Sequence, residues 1–248
     1  MVEGGSTSPP IPSGSGARGA ESLPGKSARR LIRAATRASL ATTREDGSPY
    51  ASLVLAACDH DASPLLLLSR LAEHSRNLER DPRLSLLFDG TAGFEDPLAG
   101  PRLTLLGRAV ESDEPRHRRR FLRRHPASAP YAGFSDFRIR KVAVARAHFV
   151  LGFGEVLWLA AEDVLYGSDS RELVEDEDEL ILQANRDCAR AILDLARRRG
   201  LAPPCEIVAL DHEGCDLRAA GTLVRIEFPE PVEDARAALA AIENAAKG

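Results

Sequence analysis

The chain has 248 residues, with 33 Lys+Arg, 37 Asp+Glu and a formal net charge of −4. Its 44% hydrophobic and 28% charged content is that of a globular protein able to bury a full core. No stretch reaches the ~18–20 continuous apolar residues of a membrane span, and the first 26 residues lack the apolar centre of a secretory signal, so the expectation is a cytoplasmic protein.

Charge divides the chain unevenly. Residues 168–248 carry 10 basic and 18 acidic side chains, whereas 1–167 carry 23 and 19. Such asymmetry accompanies a domain boundary, here expected near 168. The mild excess of positive charge in the first part, without interleaved aromatics, argues against a nucleic-acid binder. Four cysteines (Cys58, Cys188, Cys205, Cys215) form no CxxC pair, so neither a disulfide framework nor a zinc ribbon is expected.

Residues 1–26, dominated by Gly, Ser and Pro, carry too little apolar surface to offset their ordering entropy and are expected to be disordered. A short helix is predicted over Ser27–Arg37, with Ser27 as its cap. β-type runs follow at Ser39–Thr43, Tyr50–Ala57, Leu65–Ser69, Leu84–Phe88 and Leu103–Val110, and Asp46-Gly47 marks a hairpin turn between the first two. A helical turn is predicted over Glu73–Arg80 and a helix over Glu114–Arg124, after Asp113. Lys141–Ala145, His148–Phe153 and Glu155–Leu159 read as later strands. Short strands with few interposed helices suggest a closed antiparallel barrel.

Beyond 168 the pattern changes. ELVEDEDE (172–179) leads into one long amphipathic helix, Leu180–Arg199, stopped by Gly200. Glu206–Leu210 and Leu223–Phe228 read as strands, and Val232–Ala246 as a last helix, giving an α-β-β-α module. The Arg116–His125 run, RHRRRFLRRH, spreads its charges around a helix and reads as a solvated face. His60 and His212 lie in polar, turn-like stretches and are expected to be exposed. His148, within a strand, reads as a core histidine. No HExxH, GxSxG, Walker or GxGxxG motif is present.

One constellation remains. Ser52 lies in the second strand, Ser69 ends the third, His74 and Asn77 open the following helix, and Arg102 opens the fifth strand. A strand end running into a helix N-terminus offers free N–H groups to an anion, and an arginine adds a charge-assisted bond.

The stretch SLATTREDGSPYASLVLAACDHDASPLLLLSRLAEHSRNLERDPRLSLLFD, followed by GPRLTLLGRA, resembles the flavin-binding split-barrel proteins related to pyridoxamine 5′-phosphate oxidase. With GCDLRAAGTLVRIEFPEPVEDARAALAAI near the end, it resembles most their haem-utilisation (HugZ-type) branch. The resemblance covers about residues 28–246. It implies an α+β protein: a six-stranded antiparallel split β-barrel over 27–167 that pairs as a homodimer with cofactor sites between subunits, and a C-terminal α-β-β-α domain over 168–248. It also implies FMN, with its phosphate held at the positions of Ser52, Glu73 and His74 and a further flavin contact at Arg102. The usual Arg-Lys pair is here Glu73-His74, and the usual second-strand Arg is Ser52. The family's implied activity is a flavin-dependent oxidoreductase. Its alternatives are a haem-binding or haem-degrading protein and a cofactor-free binding protein. The His-Met-Asn…His pattern that opens the first helix of the C-terminal domain in relatives is replaced by LVEDEDELILQAN, so no metal ligand is expected there. Any iron ligand would have to come from His74, His148, His212 or a cysteine, none of which the spacing singles out.

Overall fold

The computed structural model describes residues 22–152, 154–168 and 170–247. Of the N-terminal stretch expected to be disordered, 1–21 lie outside the described residues. Residues 22–26 do not follow that expectation. Helix α1 spans Leu23–Ala34, and its cap is Ser22, whose Oγ accepts from the Gly25 N–H at 3.2 Å. Pro24 in the first turn costs nothing, because that N–H has no helical partner.

The barrel strands are β1 (Arg37–Thr43), β2 (Pro49–Leu55), β3 (Ala57–Cys58), β4 (Pro64–Ser69), β5 (Arg83–Asp89), β6 (Arg102–Glu111), β7 (Phe137–Gly152) and β8 (Glu155–Ala160). Helices α2 (Glu73–Arg80), α3 (Pro115–Arg124), α4 (Ala129–Ala132) and α5 (Ala161–Val164) are interposed or follow. The strands form one antiparallel sheet in the order β2-β1-β5-β6-β7-β4-β3, with β8 also paired to β7. This is the α+β split-barrel architecture, with eight strands in the sheet where six were expected. Three predicted strands differ. Tyr50–Ala57 breaks into β2 and β3 at Ala56, whose N–H turns to Thr36 O. The two runs predicted from Lys141 onward join as the single strand β7, bent where its register with β6 slips between Leu106 and Gly107, and Phe153 lies outside the described residues. A Cβ at Gly107 would meet Ala143 O at 2.5 Å, so only glycine fits this bulge. Leu40, Leu86, Phe88, Leu103, Leu105, Ala147 and Phe149 fill the interior, alternating with outward residues along each strand.

The C-terminal part contains α6 (Glu172–Glu175), α7 (Glu177–Asp187), α8 (Ala189–Arg198), β9 (Cys205–Asp211), β10 (Gly214–Ala219), β11 (Thr222–Glu227) and α9 (Ala235–Ala245). The predicted long helix is two, parting at Cys188. The sheet has a third strand, β10, between the two predicted ones. A second core packs Leu180, Ala184, Cys188, Ile192 and Leu195 against Ile207, Leu217 and Ile226. Ile192→Ala should cost ~2–5 kcal/mol in urea titration, since its pocket is closed by both helix and sheet.

Between the two cores lies a buried ionic layer, and here the solvated-face reading of the Arg116–His125 run is corrected. His117, Arg120, Arg124 and His125 of that run are buried, because their partners come from across the molecule. Arg120 meets Glu177 and also donates to Cys58 O and Leu210 O, each at 3.0 Å. Arg124 meets Asp216 and donates to Arg33 O at 2.9 Å. Arg29 grips Glu213 through two 2.8 Å bonds, and Arg225 lies 2.6 Å from Asp211. His60 and His212 are likewise buried rather than exposed. His60 Nε2 is 3.5 Å from Glu177 and His212 Nδ1 is 2.8 Å from Val232 O.

Candidate functional site

The structure brings two of the five expected anion-site residues together. Ser52 on β2 and His74 in the first turn of α2 meet, with Oγ and Nδ1 3.2 Å apart. Asn77, one turn further along α2, is buried, and its amide donates to Thr42 Oγ1 at 3.0 Å. It ties the helix to β1. Ser69 faces elsewhere: its hydroxyl donates to Asp136 at 2.6 Å, and its oxygen accepts from Leu71 N–H at 3.2 Å. Arg102 holds the loop before β6, donating to Leu98 O at 2.8 Å and Gly100 O at 3.1 Å.

The residues at the head of α2 do not fit a flavin phosphate. No side chain caps this helix, so its first N–H groups favour an anion, but Glu73 already places a carboxylate in that turn. Glu73 draws in the nearest cations, Arg44 at 3.4 Å and Arg76 at 3.6 Å. Burial holds the His74 imidazole below its ordinary pKa of 6.5, so it is neutral at pH 7. Any FMN affinity should therefore strengthen only as pH falls below about 6.5, and His74→Lys should remove that dependence. Quenching of flavin fluorescence titrated between about pH 8 and pH 5 checks both.

A larger feature lies on the outward face of the same sheet, which the sequence reading missed. Residues paired in register share a face. One row runs across six strands as Leu53, Ser39, Leu87, Thr104, His148 and Trp158. The row on one side contains Leu55, Arg37, Asp89, Arg102, Val150 and Val156. The row on the other contains Ala51, Ala41, Ser85, Leu106, Arg146 and Ala160. Leu53 is 70% exposed, Val156 53% and Trp158 49%. Exposed apolar side chains thus recur across six strands spaced about 4.8 Å apart, with arginines set among them. His148 is half-buried rather than in the core. Its ring lies 4.8 Å from that of Trp158, and the Arg146 guanidinium sits 4.6 Å over the indole. The signal available in the sequence was apolar residues at both parities of YASLVLA, which marks a strand covered on both faces.

The sequence profile described as pyridoxamine 5′-phosphate oxidase matches residues 25–151. The chain belongs to that family. It is 36% identical over 110 residues to the non-canonical heme oxygenase HOZ, chloroplastic, of Arabidopsis thaliana, a match covering 43% of this chain. The matched region spans 33% of that relative's length. A crystal structure of a protein of unknown function from Agrobacterium tumefaciens is similar over 97% of this chain and 99% of its own, with a TM-score of 0.75 and 27% identity. A heme binding protein from Mycobacterium smegmatis is similar over 92% of this chain and 98% of its own, with a TM-score of 0.57 and 27% identity. Among the described residues no helix is long and apolar enough to cross a membrane.

Proposed function

We propose that this chain is a haem-binding split-barrel protein of the cytoplasm that works as a homodimer, with the tetrapyrrole taken up where the outward sheet faces of two copies meet. The observation that carries the reading is that face: exposed Leu53, Leu55, Leu87, Val156 and Trp158, bordered by Arg37, Arg102 and Arg146. A porphyrin needs an apolar surface for its ring and cations for its two propionates, and the face offers both. The heme-related names of the Arabidopsis and Mycobacterium relatives support it. The separate barrel and C-terminal cores support dividing the chain at about 168, with the ionic layer fixing the two parts together.

Haem, when bound, supplies the iron and its redox and oxygen chemistry. The chain's own contribution is to exclude water from the ring with its leucines, hold the carboxylates with arginine, and keep the sheet rigid beneath. The flavin-dependent oxidoreductase reading is weaker here, because the head of α2 carries Glu73 and a neutral His74 where a phosphate needs charge.

Titration of the purified protein with haemin and, separately, with FMN tests the proposal. The expected result is a saturating Soret band with haemin at micromolar concentration and little quenching of FMN. No Soret change with haemin sinks the reading, and silence toward both leaves a cofactor-free binding protein. Loss of the Soret band on adding ascorbate in air would extend the role from haem binding to haem degradation.

A further inference from the structure

The chain has six histidines, and the structure accounts for five of them. His60 packs between Arg120 and Glu177. His117 bridges Ser112 at 2.7 Å and Asp59 at 3.0 Å. His125 bonds Ala56 O and His212 bonds Val232 O, each at 2.8 Å. All four are buried. His74 is tied to Ser52 on the inner side of the sheet. His148 alone has no hydrogen-bond partner among the described residues, and it stands on the outward apolar face.

Its surroundings suit a ligand. Thr104 lies opposite it on β6 and Trp158 on β8, so the imidazole is flanked in register on both sides. The Trp158 ring, 4.8 Å away and inclined by 51°, limits how the imidazole turns. Two residues along β7 on the same face, Arg146 forms no ion pair among the described residues, and its guanidinium is held over the same indole. A nitrogen ligand and an uncommitted cation thus share one strand face within a single pleat repeat, about 7 Å.

We propose that His148 is the protein ligand to the haem iron and that Arg146 pairs with a propionate of the same haem, both oriented by Trp158. The assignment rests on the haem-binding reading above and adds the atoms that fix the cofactor. An iron-bound imidazole is neutral and coordinates through whichever ring nitrogen is free. Both His148 nitrogens are free, whereas the Nδ1 of His74 is already engaged. The C-terminal helix contributes no imidazole, since α7 contains no histidine.

The experiment is haemin titration of the full chain, followed by absorbance, by electron paramagnetic resonance, and by haemin transfer to apomyoglobin. Wild-type protein should show an imidazole-ligated ferric spectrum. His148→Ala should lose it, and haemin should leave on the order of tenfold faster or more, since removing even an outer-shell partner of a metal ligand costs 10–100-fold. Added free imidazole should restore the spectrum of His148→Ala. His148→Gln, closer in size, should repeat the loss if the Ala variant folds poorly. His74→Ala should match wild type. Arg146→Ala should speed haemin loss without moving the resonance signals. An unaltered spectrum in His148→Ala overturns the ligand assignment while haem binding stands, as does transfer of the loss to His74→Ala. If the wild type itself takes up no haemin, the haem reading and this assignment fall together.

Discussion

Glu177→Ala should cost about 3–5 kcal/mol of folding stability, the range for removing one partner of a buried ion pair. The Glu177 carboxylate sits at the junction of the barrel and the C-terminal part. It faces Arg120, lies 2.7 Å from Arg123 and 3.5 Å from His60, and accepts from Leu210 N–H at 3.3 Å. Without it, the Arg120 guanidinium, 2% exposed, keeps its charge with no carboxylate in contact. The cost is the desolvation of a stranded cation, so Arg120→Met together with Glu177→Leu should recover much of the loss. Urea titration of the two single variants and the double variant decides it. A loss below about 1 kcal/mol for Glu177→Ala, typical of exposed pairs, would mean that water reaches this layer.

The same layer sets the response to acid. Burial alone would raise the pKa of Asp59, Glu177 and Asp211, but the charges and hydrogen bonds around them outweigh it. His117, Arg116 and Lys141 act on Asp59, Arg120 on Glu177, and Arg225 with Arg33 on Asp211. All three carboxyls are held below their ordinary range. Their contribution is therefore complete above the unfolded value near 4 and is lost as pH falls through the folded values. His60 and His125 are also lowered, chiefly by burial, so they are neutral in the native state. Their contribution is complete above about 6.5 and declines below it, because the unfolded chain takes up those protons first. Thermal unfolding against pH should thus be level above neutrality, begin to fall below about 6.5, and fall steeply below about 4. A maximum near pH 5 would contradict the burial of these histidines.

What the sequence made legible follows from the range of the interaction. Strand alternation and the Asp46-Gly47 turn are local, and β1, β2, β5 and β6 stand where the pattern placed them, within about two residues. The ionic layer is not local. Arg120 and Glu177 are 57 residues apart, and Arg124 and Asp216 are 92 apart. Two turn-like stretches, Asp59-His60-Asp61 and Asp211-His212-Glu213, read as solvent-exposed because short polar runs usually are. They are instead hairpin tips that meet the arginines of α1 and α3. Strand β10 was missed because Gly214, Asp216 and Arg218 interrupt its apolar run, and Asp216 is polar only to meet Arg124 and Arg225. At the candidate site, Ser52 and His74 were legible from position in the family pattern. The outward face was not, since exposure at Leu53 or Trp158 depends on the register of six strands.

Leu53→Glu should convert the protein from dimer to monomer at about 10 μM chain, if the outward face is the contact between copies. An isologous interface presents each position twice, so one substitution buries two carboxylates against an apolar surface. Burying an unpaired charge costs several kcal/mol, and a total of even ~4 kcal/mol weakens dimerisation about 10³-fold. Leu53 is 70% exposed within the chain, so the change leaves the folded subunit itself almost untouched. Leu182→Glu is the control: that residue is 63% exposed on α7, whose buried side packs in the C-terminal core, and the change should leave the dimer intact. Light scattering gives the masses. A dimeric mass for Leu53→Glu would place the contact elsewhere, and a monomeric wild type would remove it altogether. Because the haem proposed here is enclosed by two faces, Leu53→Glu should also weaken haemin uptake while Leu182→Glu should not, although neither residue carries a group able to bind iron.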